Sequence, residues 1–167
     1  MESDFYTVVF IINQHEFYTI WICDKEIFVT DFGKILLFKN EADVRKYAIE
    51  HNLPLSDEEC TVYNVDGVNQ WVLSGNSSVD CDKILNFWNI VQDVARTVDT
   101  KFLGDKQTSK IDRIYNMLFY GTNILADEDD ELYIPEWSEV QLELLRKIIL
   151  DGVRILQELM IERGGTL

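Results

Sequence analysis

The sequence predicts an α+β fold: an N-terminal antiparallel β-meander of four to five strands, followed by three main helices packed on the sheet. The first third of the chain consists of short β-branched and aromatic runs separated by turn residues, which is typical of antiparallel strands. The second half instead places apolar residues at helical spacing. Apolar residues make up 47% of the 167 residues, enough for a substantial core. We expect a single domain over residues 1–167, strand-rich over 1–65 and helical over 80–163.

The strands are expected where apolar runs alternate with short turns. They cover residues 5–12, 17–23, 26–30 and 35–38, and a fifth is expected at 61–65. Because the connections are short, consecutive strands should lie side by side and run in opposite directions.

Four helical segments follow from capping residues and apolar periodicity. The spans are 41–51, 80–99, 109–120 and 138–163, and the last three are the main helices. Their end signals are the N-caps Asn40 and Asp80, a capping box from Ser138 to Gln141, and stops at Pro54, Gly121 and Gly164. Residues 71–78 are expected to form a loop before the long helix.

The charge of the chain is strongly negative. Thirty Asp and Glu against fifteen Lys and Arg give a formal net charge of −15. Nucleic acids and anionic membranes are therefore not expected as partners, because both recruit proteins through basic patches. Such a field suits a basic partner protein, whose association it accelerates roughly 10- to 1,000-fold. Solubility alone would explain the charge equally well.

We expect the chain to work in the cytoplasm. Residues 1–4 contain no basic segment of the kind that begins a secretory signal. The longest apolar run, residues 8–12, is far shorter than the roughly 18 residues of a membrane helix. Three widely spaced cysteines, Cys23, Cys60 and Cys81, are typical of free thiols in a reducing compartment.

The sequence predicts no enzyme, no cofactor and no metal site. The two histidines, His15 and His51, are expected at exposed positions in a turn and at a helix end, which disfavours a catalytic triad or a histidine-rich metal site. Cys81 is the best candidate nucleophile, but Asp80 and Asp82 disfavour its thiolate, so a half-buried structural cysteine is expected. A pair of catalytic carboxylates stays open, since thirty acidic residues allow one by chance.

An acidic run next to aromatic residues is the predicted partner-binding surface. Five like charges in succession repel one another, so a fold gains nothing by placing them together. Apolar anchors inside a charged rim are typical of interfaces. The residues are Asp127, Glu128, Asp129, Asp130, Glu131, Tyr133 and Trp137, with Asp57, Glu58 and Glu59 as a second acidic cluster. Alternatively, Tyr133 and Trp137 staple the last helix to the core, and the second cluster is a solvated turn.

The acidic run does not match a calcium-binding EF-hand loop. Counted from Asp127, the sixth and twelfth positions hold Leu132 and Ser138, where that loop needs a glycine and a bidentate glutamate.

Two blocks of sequence carry a resemblance to a known family. The first, residues 32–48, reads FGKILLFKNEADVRKYA, and the second, residues 80–95, reads DCDKILNFWNIVQDVA. Both are similar to blocks in bacterial immunity proteins of contact-dependent growth inhibition and other polymorphic toxin systems. The resemblance implies a cognate toxin domain as partner, neutralised at its active site or a nearby surface. It does not identify the toxin, but the acidity of the chain suits a phosphate-binding groove and so indicates a basic nuclease, an RNase. The resemblance supplies no binding residues, and an acidic interaction module or nucleic-acid mimic with another basic partner is the alternative.

Overall fold

A four-stranded sheet and five α-helices build the α+β fold that the sequence predicts. The structure, a computed structural model, describes residues 4–164, with the side chains of residues 4–160. The strands are β1 (Phe5–Ile12), β2 (His15–Ile22), β3 (Ile27–Phe28), β4 (Thr30–Asp31), β5 (Lys34–Ile35) and β6 (Thr61–Asn64). The helices are α1 (Glu41–Glu50), α2 (Val65–Ser74), α3 (Cys81–Val98), α4 (Ser109–Gly121) and α5 (Glu139–Gly164), with a 3-10 turn at Leu103–Asp105. No described helix is both long and apolar enough to cross a membrane.

The sheet has the order β3-β2-β1-β6, and only its first three strands form the predicted meander. β1 and β2 pair antiparallel over their full length, whereas β6 pairs parallel with β1. The fourth predicted strand, residues 35–38, does not form a continuous strand of this sheet: Ile35 pairs with Thr30 in a separate two-stranded ladder, and Phe38 forms an isolated bridge with Tyr18 of β2. The fifth predicted strand, β6, is parallel because the crossover through α1 returns the chain to the free edge of β1 in the same direction.

The predicted helices are confirmed to within two residues at each described end, and one further helix was missed. Asn40 and Asp80 cap α1 and α3 by accepting the backbone N–H groups of residues 43 and 83. The missed helix is α2, so the predicted loop at 71–78 is wrong over its first four residues. Asn64, the last residue of β6, caps α2 by accepting the backbone N–H of Gly67.

Each face of the sheet is covered by helix. The main core lies between one face and helices α2 to α5, and Phe87 and Trp88 of α3 are fully buried in the same cluster as Phe10 of β1. The opposite face carries buried Val9 and Ile20, and α1 contacts β2 there with its own buried residues. The three main helices therefore pack on one face, as predicted, whereas α1 lies on the other.

Candidate partner-binding surface

The connection between α4 and α5, residues 122–138, is anchored at both ends by close packing. Gly121 closes α4 at a point where a Cβ atom would lie 2.5 Å from Cys81 Sγ and 2.9 Å from Pro135 Cγ. Only a glycine permits this approach, so Pro135 lies directly over the end of α4. Trp137 is partly buried and packs on the main core just before α5 begins. The connection therefore leaves and rejoins the core at fixed points.

A side-chain clasp closes the base of the connection. Asn123, in the left-handed region at φ 56°, accepts the backbone N–H of Tyr133 through Oδ1 at 2.8 Å. Its Nδ2 donates to the carbonyl oxygen of Tyr133 at 3.0 Å and to that of Gly121 at 3.1 Å. These bonds hold residues ten apart side by side and project the segment between them from the helices.

The acidic run from Asp127 to Glu131 lies at the exposed end of this segment, and we call it the acidic loop. Asp130 Oδ2 accepts the backbone N–H of Asp127 at 2.8 Å, and the backbone N–H of Asp130 donates to the carbonyl oxygen of Asp127 at 3.0 Å. All five acidic residues are exposed. The turn therefore uses the carboxylate of Asp130 and the backbone of Asp127 to fix its own shape, which leaves four carboxylates, those of Asp127, Glu128, Asp129 and Glu131, available to a partner.

Exposed apolar side chains concentrate around the acidic loop. Of the twelve large apolar residues that are exposed in the described part of the chain, seven lie between residues 120 and 140. They are Tyr120, Ile124, Leu125, Leu132, Tyr133, Ile134 and Val140. Contiguous exposed apolar surface rimmed by charge is typical of protein-binding sites. We call the acidic loop together with these residues the acidic–apolar surface.

A groove runs through the acidic–apolar surface. It has a volume of about 510 Å³, and its lining includes the apolar residues Tyr120, Ile124 and Leu125. Asp130, Glu131 and Tyr133 line the same groove. The fold thus brings three of the predicted site residues against three apolar residues that sequence reasoning did not select. The available signal was two large apolar residues, Ile124 and Leu125, directly after a helix stop and before an acidic run.

The two predicted aromatic anchors have different environments. Tyr133 is 45% exposed and lines the groove, as a contact residue should. Trp137 is partly buried against the main core, which is the packing role considered as its alternative. Trp137 therefore packs at the start of α5, whereas Tyr133 is exposed in the groove.

The second predicted cluster, Asp57 to Glu59, lies in a different connection, between α1 and β6. Asp57 forms an ion pair with Arg45 at 3.4 Å, and Arg45 also pairs with Glu41 at 2.8 Å. Within the described residues no hydrogen bond or ion pair links this cluster to the acidic loop. The structure therefore keeps the two acidic clusters as separate features.

The residues considered for catalysis remain apart. His15 begins β2 and His51 caps α1, where its ring stacks on Tyr47 with centroids 3.8 Å apart, and both histidines are exposed as predicted. Cys81 is buried, and burial, followed by the charges of Asp82 and Asp80, raises the pKa of its thiol. Among residues 4–160, no group of three or more His, Cys, Asp or Glu side chains is arranged to hold a metal ion.

Comparisons with known proteins give a likeness of fold. No protein-family model and no curated protein matches the chain. A solved structure, that of the C-terminal domain of SatS in complex with bromine, is similar over 93% of this chain and 92% of that chain. The TM-score is 0.52 and the sequence identity is 14%, so the likeness shows a shared fold and nothing finer.

Proposed function

We propose that this protein is an immunity protein that binds a basic toxin domain through the acidic–apolar surface and neutralises it in the cytoplasm. The observation that carries the proposal is the concentration of exposed apolar residues around an ordered acidic loop. The resemblance of residues 32–48 and 80–95 to immunity proteins of polymorphic toxin systems supplies the biological role. The proposal assigns no catalytic step to the chain.

The chemistry of the surface suits a nuclease, and specifically an RNase. A phosphate-binding groove is lined with Lys and Arg, so carboxylates presented in succession can occupy it and exclude the nucleic acid. Tyr133, Ile124 and Leu125 would provide the apolar contacts that retain the partner once it has docked. Charge would thus set the association rate and apolar burial the dissociation rate.

The test starts with the partner. The protein, tagged and expressed in its native cell, is purified with what it binds, and the recovered protein is expressed and assayed for RNase activity. We expect an equimolar amount of the immunity protein to abolish that activity, with a dissociation constant in the nanomolar range or below. A partner that is a nucleic-acid-binding protein of the cell, and not a toxin, would contradict the immunity role while leaving the surface assignment intact.

The surface is tested with a charge-neutralising variant, Glu128→Gln, Asp129→Asn and Glu131→Gln. These substitutions spare Asp127 and Asp130, whose hydrogen bonds hold the turn. We expect the association rate at low salt to fall about tenfold or more and to depend less steeply on salt. Stopped-flow association at several ionic strengths measures both effects.

A matched control removes the same number of charges elsewhere. Asp24→Asn, Asp31→Asn and Glu50→Gln are all at exposed positions outside the acidic–apolar surface. Equal losses in the two variants would mean that only net charge matters, and the surface assignment would be wrong. A third variant that neutralises Asp57, Glu58 and Glu59 should have the smaller effect, because Arg45 already pairs with Asp57.

A further inference from the structure

A second depression, which we call the cationic groove, lies between residues 100–106 and the middle of α5. Its volume is about 890 Å³, within the roughly 300–1,000 Å³ that is usual for small-molecule sites. It shares no lining residue with the groove of the acidic–apolar surface. A ligand in the cationic groove would therefore occupy a different site from the partner proposed above.

The wall of the cationic groove is fixed to α5. Asp151 Oδ2 accepts the backbone N–H of Leu103 at 2.8 Å, which ties the 3-10 turn to the helix. Phe102, just before the turn, is buried and meets the ring of Trp88 edge to face at 6.4 Å. The groove is thus formed by the folded protein before any ligand arrives.

Positive charge gathers around this groove on a chain that is otherwise acidic. Four of the fifteen basic residues line it, against two acidic ones; the basic residues are Lys101, Lys106, Lys147 and Arg154, and the acidic ones are Asp105 and Asp151. Arg154 is engaged by Asp151 at 2.7 Å, and Lys147 by Glu143 at 3.6 Å. Lys101 and Lys106 form no ion pair with any residue of the described chain. Their two ammonium groups are therefore available to an anionic group.

The lining of this groove also has an apolar part. Leu150, on α5, is 44% exposed, and it lies in the lining together with Leu103 and Phe102. An exposed leucine in the same lining as lysines satisfies two requirements at once, since an apolar group can cover it while an anion meets the ammonium groups.

We propose that the cationic groove binds a small amphipathic carboxylate, with its head group at Lys101 and Lys106 and its apolar tail on Leu150. The net charge decides against larger anions. A second copy of this chain or a nucleic acid would bring many negative charges against a molecule of −15, and the repulsion would act over the whole approach. A single carboxylate responds mainly to charges within a Debye length, about 8–10 Å at physiological salt, where the lysines dominate.

Octanoate is the probe for this site, with 1-octanol and inorganic phosphate as matched partial ligands. Titration followed by protein NMR should show octanoate binding with shifts at residues 101–106 and 147–154. Octanol and phosphate should each bind at least about tenfold more weakly, because each satisfies half of the site. Equal binding of octanol, or no binding of octanoate at millimolar concentration, would overturn the proposal.

Charge variants localise the effect. The double variant Lys101→Gln and Lys106→Gln should weaken octanoate binding about tenfold or more, whereas Lys39→Gln with Lys110→Gln, exposed lysines outside the groove, should leave it unchanged. Unchanged binding in the first variant contradicts the proposal. So does tighter binding of a peptide of alternating Glu and Leu, which would make the groove a protein-docking site. The lysine variants should leave binding of the proposed toxin unchanged, because they leave the acidic–apolar surface intact. The two proposals can therefore fail independently.

Discussion

The acidic–apolar surface and the cationic groove both place exposed apolar residues beside charged ones. The charges are negative in the first region and mainly positive in the second. The first is a single projecting segment, closed at its base by Asn123 and carrying its charge on consecutive residues. The second is a depression whose wall is tied to α5 by Asp151 and whose cations come from two distant parts of the chain. The comparison shows that a net charge of −15 is the sum of unlike surfaces, so net charge alone does not describe what each region attracts.

The largest expected effect comes from breaking the anchor of the acidic–apolar surface with Gly121→Ala. The new Cβ would lie 2.5 Å from Cys81 Sγ and 2.9 Å from Pro135 Cγ, so the connection must move. We expect a loss of about 1–3 kcal/mol in the free energy of unfolding, together with weaker toxin binding. Urea denaturation measures the change in the free energy of unfolding.

Gly152→Ala on α5 is the matched control for that substitution. Its Cβ would meet Phe87 and Val91 at 3.1 Å, a looser fit, and alanine favours helix over glycine. A loss in Gly152→Ala equal to that in Gly121→Ala would show that the close approach at Gly121 has no special importance.

The corresponding change in the cationic groove is Asp151→Ala. It leaves the backbone N–H of Leu103 without an acceptor and frees Arg154, so we expect a loss of about 1–2 kcal/mol in the free energy of unfolding. Asp151→Asn, which retains an acceptor, should lose less. Glu143→Gln breaks only the exposed pair with Lys147 and should change stability by less than about 0.5 kcal/mol.

The partly buried Asp93 provides the contrast to the exposed acids of the loop. Asp93 accepts from Trp21 Nε1 at 2.9 Å and pairs with Arg96, yet burial raises the pKa of its carboxyl above the ordinary value, outweighing both partners. For a raised pKa, the stabilising contribution is present below the ordinary pKa and is lost as pH rises through the folded-state pKa. Wild type should therefore lose stability relative to Asp93→Asn as pH rises above the ordinary carboxyl pKa of about 4. A difference in the free energy of unfolding between the two proteins that stays constant as pH rises above this value would contradict the prediction.

The smallest effect on stability is expected at the apolar residues of the acidic–apolar surface. Ile134 is 81% exposed and Leu132 is 65% exposed, so Leu132→Ser with Ile134→Ser should change the free energy of unfolding by less than about 0.5 kcal/mol per site. Toxin affinity should nevertheless fall, mainly through faster dissociation. Unchanged dissociation would remove these two residues from the site.

The order of the main elements could be predicted because their signals are local. Strand composition, the caps Asn40 and Asp80, and apolar periodicity all lie within single segments. Helix α2 was missed because Asp66 and Gly67, which suggest a turn, lie in its first turn. The carboxylate of Asp66 accepts the backbone N–H groups of Asn13 and Gln14 at 2.7 and 2.9 Å, a partnership more than fifty residues away that no local pattern indicates.

The two surfaces also differ in whether their residues are close together in the sequence. The acidic loop was visible in the sequence because its charges are consecutive, and Tyr133 was found through its proximity to them. Tyr120, from the end of α4, joins the groove only in the folded chain. The cationic groove was not predicted at all, since Lys101 and Lys147 are forty-six residues apart and each is unremarkable in its own segment.

The clasp between Asn123 and Tyr133 should allow the segment between them to be replaced by another sequence. Residues 124–132 begin and end at two points that are bonded to each other, so a replacement of different length or composition need not disturb the helices on either side. Each doubling of such a loop costs only about 0.6 kcal/mol in closure entropy. The fold could therefore acquire a new binding preference by replacing these nine residues. An engineered recognition loop should be inserted at the same place, between Asn123 and Tyr133.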